Sequence, residues 1–199
     1  KIYLRQMADS PLMTEQEEKE LAEELEESRM RLRVLVFGSG IAIERGLALL
    51  SSIVSGDRSF DRILKLGYEG RKKSQAMRKL PQQIKYLQGV LETNRTYMRN
   101  RLNRELRRGD LDSTKLAGDM RVRLLEAARL MGELKFEMKM VNGIIEEIFR
   151  TCDEFTILDR SFQRQRRKGT NTKTYRVAKK DWTDRQAFGV NTAAGLRKH

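Results

Sequence analysis

The feature that most limits what this chain can fold into lies between residues 117 and 155. Ala117, Met120, Leu124, Ala127, Met131, Leu134, Met138, Val141, Ile145, Ile148, Cys152 and Phe155 follow one another at alternating steps of three and four. An α-helix turns once in about 3.6 residues, so these steps gather the side chains into one stripe; a strand, with its period of two, would scatter them over both faces. The seam predicts a helix from about Ser113 to Arg167, and it requires a facing surface. A second run, Ile84, Leu87, Leu91, Met98, Leu102 and Leu106, predicts a helix from Pro81, a favoured first-turn residue, to the break at Gly109-Asp110. The short link favours antiparallel neighbours. The expected fold is therefore all-α: an elongated helical domain around a long antiparallel helical hairpin of residues 81–108 and 113–167. A helix from another chain is the alternative partner for the seam.

The front of the chain carries its own start signal. In Thr14-Glu15-Gln16-Glu17 the hydroxyl of Thr14 can accept the Glu17 N–H while Glu17 reaches back, a capping box. The acidic first turns suit the positive end of a helix. This helix is expected to reach Val36, with Leu21, Leu25, Leu32 and Leu35 as its apolar side, and to break at Gly38-Ser39-Gly40. The run from Ile41 to Val54 is the most apolar and reads as a buried core helix, too short for a membrane span. Residues 59–79 read as loop with short helical pieces. Three units result: 1–36, 37–167, and a polar, basic tail at 168–199 that is expected to be disordered, with Trp182 and Phe188 as isolated aromatics.

The formal net charge of +13 is unevenly spread. Residues 1–28 carry net −6 and residues 109–159 net −4, whereas 71–108 and 160–199 carry net +10 each, with 12 basic and 2 acidic residues apiece. Blocks of that density can follow a phosphate backbone; a solvated helix face and a basic tail are the plainer readings. The single Cys forbids an internal disulfide and fits a reducing, cytoplasmic compartment. Enzyme chemistry has little to work with. The only His is His199, Cys152 lies on the seam, and no phosphate-binding glycine loop, zinc motif or Cys/His metal set is present. No catalytic residue, cofactor or metal is expected.

The most specific segment is the first. Ile2-Tyr3-Leu4-Arg5-Gln6-Met7, Ser10-Pro11-Leu12-Met13-Thr14, and then Glu17-Glu18-Lys19-Glu20-Leu21-Ala22 with Leu25-Glu26 closely resemble, in order and spacing, region 1.2 of housekeeping-type bacterial RNA polymerase sigma factors, the sigma-70 family. The match covers about residues 1–28. Residues 29–165 are similar in position and architecture to the variable helical insertion that some members carry before region 2. The resemblance implies promoter DNA and core RNA polymerase as partners. It also implies that Tyr3, Leu4 and Arg5 are DNA-binding residues at the non-template strand of the discriminator. An aromatic there stacks on an unpaired base and an arginine pairs with phosphate or a guanine edge. Packing onto the following helix is the other reading of Tyr3 and Leu4. The family's frequent Gly after the Met is Ala8 here, and the region 2 segment is missing, so the chain reads as a sigma factor fragment or a truncated relative. Two further readings compete: a basic helical RNA- or ribosome-binding protein, and a coiled-coil adaptor that captures a partner on the seam.

Overall fold

The computed structural model of the chain describes residues 13–65, 70–108 and 118–189. The fold is all-α: the described residues form seven helices and no named strand. The first, α1 (Glu15–Val36), starts where the capping box places it. The Glu17 N–H donates to the Thr14 hydroxyl at 3.3 Å, and the Thr14 N–H donates to Glu17 Oε2 at 2.8 Å. Its expected apolar side is not its inner side. Leu21, Leu25, Leu32 and Leu35 are all exposed, and every residue from 13 to 25 is exposed as well, so the first half of α1 stands clear of the other described helices. The helix seats through the other side of its last turns, where Arg33 is buried and Val34 and Val36 pack against the core. Gly132 permits that approach, because a Cβ on it would stand 2.7 Å from Val34 Cγ2.

At the Gly38-Ser39 break the axis bends by 110° into α2 (Gly40–Val54), whose N-terminus the Ser39 hydroxyl caps by accepting the Ala42 N–H at 3.2 Å. This is the core helix expected: Ile41, Ile43, Leu47, Leu50 and Ile53 are buried. No single helix among the described residues is long and apolar enough to cross a membrane. The short α3 (Phe60–Ile63) leads to Leu64, which forms an isolated antiparallel bridge with Phe136.

The next helix departs from expectation at its start. α4 runs from Gly70 to Arg108, with Pro81 inside it and not in its first turn. Pro81 has no N–H for the carbonyl four residues back, which ordinarily breaks a helix. Here Leu80 and Ile84 are buried on either side of it and Ala76 packs against the core, so tertiary burial carries the helix through.

The long seam is real as burial but not as one helix. It divides into α5 (Gly118–Glu133) and α6 (Met138–Lys168). At the break Lys135 takes a left-handed φ of 50° and the side chain of Phe136 turns into the core, its ring centroid 5.0 Å from that of Phe37. The flanking chain is pinned by Lys65 N–H to Lys135 O at 2.9 Å and Glu137 N–H to Ile63 O at 2.8 Å. Every seam residue from Met120 to Phe155 is buried or half-buried. The facing surface, however, comes from several helices. α5 packs on α1, α2 and α4, and α6 packs on α1, α2 and the last helix, in place of a single 81–108/113–167 hairpin.

That last helix, α7 (Lys173–Gly189), replaces the expected disorder over most of the tail; residues 190–199 lie outside the described residues. The chain turns at Gly169, φ 134°, and the Thr172 hydroxyl accepts the Tyr175 N–H at 3.2 Å. Trp182 is no isolated aromatic. It is buried, stacks on Phe162 at 4.7 Å, and donates its indole N–H to Asp159 at 2.9 Å. Tyr175 stacks on the same Phe162 at 5.9 Å. α6 and α7 thus form the antiparallel pair with an aromatic interior, and α7 also packs along α4.

Candidate nucleic-acid interface

Tyr3, Leu4 and Arg5, the residues assigned to DNA contact by resemblance, lie outside the described residues. What the structure describes is their attachment point. Thr14 and Glu17 lock the start of α1, and two N–H and O–H donors from Thr14 hold the Glu17 carboxyl below the ordinary carboxylate range. The acidic first turns, Glu15, Glu17, Glu18 and Glu20, are all exposed on this free-standing half of the helix.

The other end of α1 is anchored by charge. Arg33 is 2% exposed and donates Nε–H to the Phe136 carbonyl at 3.1 Å and a second N–H to Glu26 Oε1 at 3.2 Å. Lys135 Nζ stands 3.6 Å from the same carboxylate oxygen, and Arg29 lies 3.9 Å from its other oxygen. Burial pushes the Glu26 carboxyl up, but the Arg33 hydrogen bond and charge, with Lys135 and Arg29, outweigh it and leave the group below its ordinary value. Arg33, which the apolar spacing passes over, therefore fastens α1 to the α5–α6 break, a link between residues 103 apart in sequence that no local pattern signals.

The first basic block lies on α4. Among its cations, Arg95 pairs with Glu44 of α2 at 2.9 Å, Lys73 with Asp61 at 2.6 Å, and Arg99 with Asp184 of α7 at 3.3 Å. Asn94, fully buried beside them, accepts Arg123 Nε–H at 2.9 Å. Three cations of this block thus tie α4 to α2, α3 and α7, and Asn94 ties it to α5. Cys152 is half-buried on α6, and the described residues hold no group of three His, Cys, Asp or Glu side chains arranged for a metal.

The second basic block is organised differently. Arg160, Arg164 and Lys168 recur at four-residue steps on the last turns of α6, and Lys173 opens α7 just across the Gly169 turn; all four are exposed. The sequence placed Arg160 and Arg164 on the long predicted helix, as found, but left Lys168 and Lys173 in a tail expected to be disordered. The signal for order was the spacing of Tyr175, Ala178 and Trp182 at i, i+3 and i+7, one face of a helix. No protein-family model, no curated protein and no solved structure matches this chain.

Proposed function

We propose that this chain is part of a sigma-70 family RNA polymerase sigma factor, comprising region 1.2 and a helical insertion, and that it contributes to promoter contact and transcription initiation with core RNA polymerase in the bacterial cytoplasm. Tyr3, Leu4 and Arg5 meet the non-template strand at the discriminator. One observation carries the reading: three elements, Tyr3-Leu4-Arg5, Pro11-Leu12-Met13-Thr14 and Glu17-Glu18-Lys19-Glu20-Leu21-Ala22, stand in the family's order and spacing. The geometry supports it in one respect. The second element ends on Thr14, the N-cap, and the third begins on Glu17, the residue that closes the capping box, so both motifs coincide with a real helix start.

The test is Arg5→Ala in the full-length factor. A well-placed arginine-to-guanine contact is worth about 1–3 kcal/mol, so open complexes at promoters with a purine-rich discriminator should dissociate roughly ten times faster. Promoters with a pyrimidine discriminator should respond less. Identical open-complex lifetimes across discriminator variants, with and without Arg5, would end this reading.

A further inference from the structure

We propose that the tip of the α6–α7 hairpin is a binding surface for double-stranded DNA, gripping backbone phosphates through Arg160, Arg164, Lys168 and Lys173. From residue 160 to residue 180 the chain holds nine basic residues and no acidic one. Arg160, Arg164 and Lys168 line one shallow groove with Ser161 and Gln165. Ser161 and Gln165 also line the adjoining groove between the two helices, where Lys173 sits. One patch therefore spans both helices. Asp181 is the one acid among the residues lining the two grooves, and Asp159, next to Arg160 in the chain, accepts the Trp182 indole N–H. None of the four cations pairs with a carboxylate among the described residues, whereas neighbouring Arg185 pairs with Glu154. Four unpaired like charges on one exposed patch repel one another and call for an anionic partner.

Two observations choose the partner. The aromatic residues of this unit, Phe162, Tyr175 and Trp182, are buried inside the hairpin. The patch offers cations without a stacking platform, and single-stranded nucleic acid is held by aromatic stacking together with charge. A duplex backbone needs only the charge. Arg160 to Lys168 spans about 12 Å along the helix at 1.5 Å per residue, and the B-DNA major groove admits a helix between its two phosphate backbones. The deep, narrow major groove of A-form RNA does not admit one. The grip proposed is on phosphates, which carry no sequence information, so binding is independent of sequence. This inference does not rest on the sigma factor reading.

The experiment follows binding of the full chain to a labelled mixed-sequence DNA duplex by fluorescence anisotropy over a salt series. Each phosphate contact contributes about 0.9 to the slope of log K against log salt, so R160Q/R164Q/K168Q/K173Q should flatten the slope by roughly 3 to 4 and weaken low-salt binding by at least about tenfold. Trp182 fluorescence and helical circular dichroism should be unchanged, since all four side chains are exposed, and R160K/R164K should retain binding. R78Q/K79Q/K85Q on α4 should leave affinity within about twofold and the slope intact. An unchanged slope in the quadruple variant overturns the proposal. So does an equal loss from the α4 triple variant, or tighter binding to duplex RNA or polyglutamate than to DNA. Loss of duplex binding and loss of discriminator sensitivity are separate readouts, so either proposal can fail while the other stands.

Discussion

The two basic blocks carry the same net charge, yet the fold treats them in opposite ways. On α4, cations alternate with a core face that includes Leu80, Leu87, Leu91, Met98 and Leu102, and Lys73, Arg95 and Arg99 meet acids supplied by other elements. The remaining cations are dispersed: Arg78 and Arg104 lie about 39 Å apart at 1.5 Å per residue. In the α6–α7 hairpin the aromatics take the interior, the cations are left outside, and four of them crowd one tip without acidic partners. Net charge per segment therefore says little about the charge on offer to a ligand. What matters is where the acids of the other elements fall, and that is decided by tertiary packing.

The comparison breaks first at Trp182. If its contact with Phe162 and Asp159 is what holds the cations on one surface, Trp182→Ala should cost about 3–5 kcal/mol, detached from any direct effect on charge. Urea denaturation should show the loss, and binding to DNA should fall although no cation has been removed. Trp182→Phe should recover part of both. An unchanged midpoint for Trp182→Ala would mean that the aromatic stack does not organise the hairpin.

Arg33 is the extreme of a neutralised cation, and its removal should have the next largest effect. Arg33→Ala leaves the buried Phe136 carbonyl without its donor and Glu26 without its main partner, a cost of about 2–3 kcal/mol. Arg33→Met, which keeps the apolar stem, should lose less. Equal midpoints for the alanine variant and the parent chain would show that the α1 anchor is not held by this network.

Much of the fold was legible, for local reasons. The start of α1 rests on Thr14 and Glu17, three residues apart, and α2 on an apolar run bounded by Ser39 and Ser55. The failures were tertiary. Periodicity correctly marked Met120 to Phe155 as buried, but it could not reveal that Phe136 would leave the register to meet Phe37 and bridge Leu64. Pro81 read as a helix start because its local cost is large; the burial of Leu80 and Ile84 outweighed it. The leucines of α1 read as an inner face because nothing local distinguishes an apolar stripe that finds a partner from one that does not. Of the candidate sites, Tyr3, Leu4 and Arg5 came from motif resemblance alone, while the hairpin patch needed the fold to bring Lys173 beside Lys168, Arg164 and Arg160.

The smallest effect sharpens the contrast through pH, because only paired cations have a partner that can be titrated. The Glu26 carboxyl sits below its ordinary value of 4.5 in the folded chain. As pH falls past that value the unfolded chain takes up the proton first, so the stabilisation by Glu26 is complete above 4.5 and fades as pH drops through the lower, folded value. Its side chain is 41% exposed, so solvent screening limits the contribution to about half a kcal/mol. Glu26→Gln should remove that amount near neutral pH and flatten the acid limb of the stability curve, read by urea melts between neutrality and the acid transition. Glu17 titrates in the same sense at the helix start, which leaves a residual slope that Glu17→Gln should reduce. The four cations of the hairpin tip form no ion pair among the described residues, so Arg164→Gln should shift the whole curve little and leave its shape unchanged. A Glu26→Gln curve parallel to that of the parent chain would show that the cluster around Arg33 is not coupled to the proton and that the neutralised cations of this fold behave like the free ones.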